Sequence, residues 1–381
     1  MRPPRPRARR RGVCACCAYA LTVCLAALAL VSLALAGALQ LLPPPPRAPP
    51  AAPSAALRYR RSAHLRARVM SFNVRNIHNV SGHHWHERVD AVAAAIAAAA
   101  PDAVGLQEAS RAQLDDLLAR LPGYAAVAHG RRGRNESETA AVLYDARALT
   151  LLAARTFWLS EAPGEVGSVA RAWGSQLPRV ATVAALAPLR RSAAGAGARA
   201  YGRTPFHFIN THLDHEGAAA RLHGAELVAA AAGAAAAGEG GGAGVAEALP
   251  PLPAPIRGAP CIVTGDFNSG PGDAPAAVLA AAGLVDVLAA QGGAAEAGTF
   301  HNFTGIPLAG VPRIDFVLAS RGGRGCRLSG RAWVDAAQRL GVWPSDHFAV
   351  VADVAWEEDE GGAAEGGGGA ACGSALAGAL R

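Results

Sequence analysis

Between residues 139 and 187 three apolar runs follow one another, Thr139–Tyr144, Leu149–Leu159 and Val180–Ala187, with no helix-period stretch between them. Strands joined without a helix pair antiparallel, whereas a purely parallel, doubly wound sheet needs a helical crossover after every strand. That disfavours the simplest α/β architecture. Elsewhere the two periodicities alternate. Strands are expected at Arg68–Val74, Ala103–Gln107, Phe206–Thr211, Ile262–Gly265, Arg313–Ala319 and Phe348–Trp356. Helices are expected at His86–Ala99, Arg111–Leu121, Ala218–Ala232 and Ala276–Ala289. This mixture fits an α/β chain of the α+β type: a four-layer sandwich of two mixed β-sheets flanked by helices.

Charge divides the 381 residues sharply. Residues 1–68 hold 12 Arg and no acid, so the remainder carries 24 Arg against 29 acidic residues, a net of −5. The overall +7 describes the N-terminal arm, not the body. There is no Lys, and Ala and Gly abound, a compositional drift into which no function is read. Residues 1–12 are basic and residues 13–42 form a charge-free apolar run. About 20 apolar residues span a bilayer, and a secretory signal has a shorter core. The run is therefore expected to be a transmembrane signal-anchor, with the basic flank cytoplasmic and the body lumenal or extracellular. Two other readings stay open: cleavage at Ala34-Leu35-Ala36, giving a secreted protein, and an Arg-rich organelle-targeting leader. A Pro/Ala-rich linker occupies 43–66, the catalytic body 67–356 and a Gly/Ala-rich tail, expected to be disordered, 357–381. Gly238–Pro255 reads as a surface loop. Three N-glycosylation sequons, at Asn79, Asn135 and Asn302, matter only if the body is lumenal. Four of the seven cysteines lie within the first 24 residues. Cys261, Cys326 and Cys372 fit neither a zinc site nor a disulfide framework, and Cys261 reads as buried.

The chemistry lies at strand ends. Gly265-Asp266-Phe267-Asn268 closes an apolar run with an acid and an amide two residues apart, which period-2 geometry points the same way. Polar strand ends recur at Asn73, Gln107-Glu108, Asn210-Thr211-His212-Leu213-Asp214-His215, Ile314-Asp315 and Ser345-Asp346-His347. Polar groups at the ends of apolar strands are what a site on a rigid scaffold requires.

Taken in order, these segments resemble the endonuclease/exonuclease/phosphatase superfamily of Mg²⁺-dependent phosphoesterases, which includes deoxyribonuclease, apurinic endonuclease and neutral sphingomyelinase. The resemblance runs from about Arg68 to Val354. Trp85 with Arg88, Thr156-Phe157-Trp158-Leu159-Ser160 and Thr299-Phe300-His301 point to a less characterised branch, from which Trp173-Gly174 departs where an acid is expected. The resemblance implies that Glu108 ligates Mg²⁺ (Mn²⁺ as a substitute), with Asn73 and Asp346 helping to hold it. It implies that Asp266 prepares the attacking water and Asn268 holds the phosphate. His212 would donate to a phosphate oxygen, and His347, oriented by Asp315, would contact the phosphate or act as acid/base. Whether Asp266 or His347 is the base stays open. Oxygen-rich residues suit a hard cation, whereas a zinc hydrolase would call for His- or Cys-rich ligation.

Several residues carry a plainer reading beside the functional one. Asp214 and His215 are as well read as loop residues, and Arg179 and Glu138 as a salt bridge. Arg131-Arg132-Gly133-Arg134 grips phosphate or is a solvated loop. His83, His84 and His86 read as a solvated cluster, and Trp158 as core. An acidic body disfavours a polynucleotide partner, whose affinity rests on phosphate neutralisation. A lipid headgroup or small phosphodiester is therefore favoured over DNA or RNA, and a catalytically inactive membrane-anchored scaffold is the remaining alternative.

Overall fold

The structure, a computed structural model, describes residues 65–78, 82–133, 137–189, 204–237, 249, 259–291, 298–321 and 326–358. The expected signal-anchor, nearly all of the linker, the surface loop but for residue 249, nearly all of the tail, Asn79, Asn135 and Cys372 lie outside those residues. No described helix is long and apolar enough to cross a membrane.

In chain order the strands are β1 (Leu65–Asn73), β2 (Ala103–Gln107), β3 (Tyr124–Val127), β4 (Ala140–Asp145), β5 (Leu149–Trp158), β6 (Val180–Pro188), β7 (Phe206–His212), β8 (Cys261–Asp266), β9 (Leu284–Asp286), β10 (Asp315–Ser320), β11 (Cys326–Asp335) and β12 (Ala349–Glu358). The helices are α1 (Trp85–Ala99), α2 (Arg111–Arg120), α3 (Ala218–Ala237) and α4 (Ala274–Ala281). They build two six-stranded mixed sheets, ordered β11-β12-β1-β2-β4-β3 and β5-β6-β7-β8-β10-β9. In each sheet one parallel pair, β1 with β2 or β7 with β8, is flanked by antiparallel neighbours. The parallel pairs are the ones bridged by a helical crossover, α1 in one sheet and α3 in the other. The three helix-free strands between residues 139 and 187 are β4, one strand in from the edge of its sheet, and the β5–β6 pair that begins the other.

Period-2 alternation explains the four layers. On β1, Val69 faces Phe208, Ile262 and Val317 across the inter-sheet core, while Met70 and Phe72 face outward against Val89, Val92 and Ile96 of α1. On the other sheet Ile209 and Val263 face outward against Leu227, Val228 and Leu279 of α3 and α4. A strand buried on both faces reads as a near-continuous apolar run, which is the pattern here.

Helix ends follow local chemistry. Ser110 and Gln113 form a reciprocal capping box at α2: the Gln113 N–H donates to Ser110 Oγ (3.3 Å) and the Ser110 N–H to Gln113 Oε1 (3.1 Å). α1 stops at Ala100, in the left-handed region before Pro101. α4 ends at Ala281, eight residues short of expectation, because Gly283 takes φ 84° and Leu284–Asp286 leave to pair with β10. β1 begins at Leu65 and β12 runs to Glu358, so ordered pairing extends two residues past each expected body boundary.

Candidate active site

Topology explains why residues far apart in sequence meet. β1 and β2 run parallel, so Asn73 and Glu108 leave the sheet at one edge. β7 and β8 do the same for His212 and Asp266. β10 runs antiparallel to β8, which pairs the first residue of β10, Asp315, with the last of β8, Asp266. β12 runs antiparallel to β1, so its N-terminal lead-in, Asp346-His347, arrives beside the end of β1. One end of the sandwich thus collects every strand-end residue singled out above.

Asp266 is the hub, and it is 1% exposed. Its Oδ2 accepts from Asn73 Nδ2 at 2.9 Å and lies 3.6 Å from His212 Nε2 and 3.9 Å from His347 Nε2. Its Oδ1 accepts the Asn268 backbone N–H at 2.9 Å. Asn73 Nδ2 also donates to Glu108 Oε1 at 3.1 Å, so one amide joins the two carboxylates. Glu108 Oε2 accepts the Asn76 N–H at 2.9 Å. His347 Nδ1 donates to Asp315 Oδ2 at 2.9 Å; a carboxylate cannot donate, which fixes the proton on Nδ1 and directs Nε2 toward Asp266. Thr299 Oγ1 accepts the backbone N–H groups of Ile314 and Asp315, holding the start of β10. Glu108 and Asn268 sit at φ 64° and 48°, a left-handed conformation that non-glycine residues adopt at a cost and that gathers at functional sites.

Burial and neighbouring charge push these groups apart. Burial, then the Asp315 charge, raises the Asp266 carboxyl to about 7. Burial alone would lower His347, but the Asp315 charge and hydrogen bond, with Asp266 and Asp346, raise it to about 10. His212 falls well below the usual imidazole range through burial and the charges of Arg179 and Arg131. Burial would raise Glu108, yet the bonds from Asn73 and Asn76 and the His347 and Arg75 charges bring its net shift downward. The site therefore holds an acid poised near neutrality, a cationic imidazole, a neutral imidazole and an ionised glutamate.

These groups open into a cleft of about 570 Å³, lined among others by Glu108, His212, Asp266, Asn268 and His347. Asn73 and Asp315 lie just behind that lining, each bonded to a residue of the wall. Asp346 is set further back. Its Oδ2 meets Arg75 Nη1 at 3.3 Å and its Oδ1 accepts from Ser345 Oγ at 3.2 Å, so other partners engage both oxygens. Two sets could hold a cation. Asp266, Asp315 and His347 present ligand atoms within 4.8 Å of one another. Glu108 and Asp266 offer carboxylate oxygens on either side of Asn73, whose Nδ2 donates to both while its Oδ1 accepts the Arg75 N–H at 3.0 Å. The first set includes an imidazole and is closed by the Asp315–His347 hydrogen bond, so the two carboxylates of the second are the better match to a hard divalent ion.

Residues read two ways now have places. Arg131 and Glu138 form an ion pair of 2.7 Å, Arg179 lies 3.5 Å from Asp214 and donates to His215 Nδ1 at 2.7 Å, and Arg131, Glu138, Arg179 and His215 all line the cleft. Both readings of this group hold together: paired residues form the wall of the site. Trp158 is core, donating from Nε1 to the Arg131 carbonyl at 2.7 Å. Of the His cluster, His83 stacks on Phe303 at 4.0 Å. Gly174 takes φ 87° at the end of a 3₁₀ turn, Arg171–Trp173, where the acid expected by resemblance would be strained. Arg75 and Arg88 were given no role from sequence. Arg88, 2% exposed, donates to the carbonyls of Val74, Arg75, His83 and Pro344 and so clamps the loop after β1 to the segment before β12. In the sequence it stands out only with Trp85, as a mark of the resemblance.

A two-sheet sandwich with acids, amides and imidazoles at one edge defines a phosphoesterase-type hydrolase scaffold. Residues 70–347 match the Endonuclease/Exonuclease/phosphatase family, and the chain belongs to that family of phosphoester hydrolases. A Bacteroides vulgatus member of that family has a crystal structure similar to this one at 27% identity and a TM-score of 0.60, covering 77% of this chain and 99% of that one. The Bacteroides thetaiotaomicron mannosyl-6-phosphatase is similar at 26% identity and a TM-score of 0.59, covering 75% and 98%. D. rerio TDP2, solved with a single-strand DNA product, shares the fold at 16% identity and a TM-score of 0.53, covering 77% and 99%. No curated protein matches the chain.

Proposed function

We propose that this protein hydrolyses a phosphoester by metal-assisted attack of water. The observation that carries the reading is the convergence of Asn73, Asn268, His212 and His347 on the Asp266 carboxylate, with Glu108 tied in through Asn73. Glu108, positioned by Asn73 and with Asp266 alongside, would hold Mg²⁺ or Mn²⁺, and the ion would neutralise phosphoryl charge and steady the leaving oxygen. Asp266, poised near 7, takes the proton of the attacking water. Cationic His347, charged by Asp315, faces the phosphoryl oxygens through Nε2. His212 and Asn268 donate hydrogen bonds as charge builds on those oxygens. Asp346 acts from behind by fixing Arg75.

The net −5 body supports a small phosphoester or lipid headgroup rather than a polynucleotide. The cleft of about 570 Å³ is of the size that takes a small molecule. The B. thetaiotaomicron phosphatase, similar over 75% of this chain, supports the same choice. The charge-free run at 13–42 supports a signal-anchor holding this body at the lumenal or outer face of a membrane. The test is hydrolysis of generic phosphoesters by the full chain with Mg²⁺ or Mn²⁺. Glu108→Ala and His347→Ala are each expected to lose at least about a hundredfold in kcat. Parent-like rates in both variants would remove the assignment and leave the inactive scaffold.

A further inference from the structure

We propose that Arg75, Arg131 and Arg179 form a cationic wall that makes the substrate a phosphomonoester, read as a dianion, rather than a phosphodiester. The inference rests on the phosphoester-hydrolase reading of the same cleft, and it replaces the diester preference drawn from sequence.

The three guanidiniums come from separate segments, the loop after β1, the loop before β4 and the residue before β6, yet all line the cleft with Glu108, Asp266 and His347. Each is held from one side by an acid: Arg75 by Asp346 (3.3 Å), Arg131 by Glu138 (2.7 Å) and Arg179 by Asp214 (3.5 Å). Asp214 is itself fixed by Ser175 Oγ at 2.6 Å and the backbone N–H groups of Glu216 and Gly217 at 2.9 and 2.7 Å.

Arg88 shows what a purely structural arginine looks like in this neighbourhood: its Nε and both terminal nitrogens all donate to backbone carbonyls. The cleft arginines differ. The buried Nε of Arg75 and of Arg131 makes no hydrogen bond among the described residues, and that of Arg179 has only the Asp214 carboxylate at 3.5 Å, outside good hydrogen-bond geometry. Buried donors are normally matched, so three guanidiniums lining one cleft, each anchored on one side and incompletely satisfied, point to an acceptor that arrives from outside. A phosphate presents several oxygens to a planar fork, the pairing to which guanidinium is suited. A diester phosphate has one negative charge, whereas a monoester is close to doubly charged at neutral pH. Glu108, Glu138, Asp266 and Asp273 line the same cleft and would repel a dianion unless cations offset them. In the reaction, water oxygen forms a bond to phosphorus as the ester oxygen leaves. Asp266 accepts the water proton and His347 supplies the proton that converts the leaving alkoxide to an alcohol, so water and monoester yield alcohol and inorganic phosphate.

The test compares p-nitrophenyl phosphate with its methyl ester, which have the same leaving group, on the full chain with Mg²⁺. Wild type is expected to favour the monoester in kcat/KM by at least about tenfold, and Arg179→Gln and Arg131→Gln to reduce that ratio by about tenfold or more. Inorganic phosphate should inhibit each variant more weakly than it inhibits the parent. Arg75, with 35% of its side chain exposed, gives Arg75→Gln as the variant that tests the wall if the more buried ones fail to fold. An unchanged ratio and unchanged phosphate inhibition in folded variants, or a wild-type preference for the diester, would overturn the inference while leaving the hydrolase reading intact. Turnover of neither compound by wild type would instead sink that reading and the inference with it.

Discussion

Asp315 illustrates how much one buried residue decides. Its Oδ2 holds His347 Nδ1 at 2.9 Å, its Oδ1 is buried without a partner, and its charge both raises Asp266 and keeps His347 cationic. Asp315→Asn keeps the shape and removes the charge. It is expected to lower kcat by about 10²–10⁴ while KM changes little, as for the buried acid of a catalytic triad. A parent-like kcat would leave Asp315 a mere strand-edge acid. His301, 1% exposed and stacked on Phe348 at 3.9 Å, gives a stability test. Burial, then the His347 charge, lowers it from 6.5 to about 4, so the folded state keeps it neutral. As pH falls through 6.5 the unfolded chain takes up the proton first, and the fold loses stability down to about pH 4. His301→Phe preserves the stack and removes this loss. The difference in unfolding free energy between the two proteins should be flat above pH 6.5 and shift in the variant's favour below it. From sequence Asp315 stood out as an acid beside an apolar strand and His301 only within Thr299-Phe300-His301, a mark of the resemblance; the charge states were not legible, because they come from burial and from neighbours such as His347 that no local pattern joins to them.

The elements show an internal repeat. β1-α1-β2-α2-β3-β4 and β7-α3-β8-α4-β9-β10 trace the same path, and each contributes a parallel pair whose ends carry site residues, Asn73 and Glu108 in one, His212 and Asp266 in the other. The two sheets approach closely at Gly105 of β2. A Cβ there would overlap Thr264 Oγ1 and Asn210 Oδ1, and Asn210 is tied to β2 and β4 by bonds from its Nδ2 to the Leu106 and Ala141 carbonyls, each 2.8 Å. Gly105→Ala should therefore wedge the sheets apart, costing about 1–3 kcal/mol or more in chemical denaturation. A neutral result would mean that the sheets slide apart freely. Long apolar strands such as β6 and β8 were legible from their runs. β3, β9 and β11 were not, since two are four residues or shorter and Ser329-Gly330-Arg331 interrupts the third. Their strand character comes from the partner they pair with, as β11 does with β12 over ten residues.

At the scale of the whole molecule, basic charge is concentrated before residue 69 while the rest is net acidic. A signal-anchor at 13–42 would put these two parts on opposite sides of a membrane. In sealed vesicles from expressing cells, protease added outside should leave the catalytic body intact and trim only the basic arm; digestion of the body would reverse the orientation. What the amino-acid order settles by itself is local: which long apolar runs are strands, that helix-free strands weigh against a parallel doubly wound sheet, and which polar types end those strands. Period and turn chemistry act over a few residues, so they can be read without the fold. Who meets whom is decided only in three dimensions. Asn73 bridges Glu108 and Asp266 across the two sheets, and three arginines from separate segments form one wall. Those contacts depend on strand register and on how one sheet lies over the other, energies summed over hundreds of residues of separation that no short stretch of sequence carries.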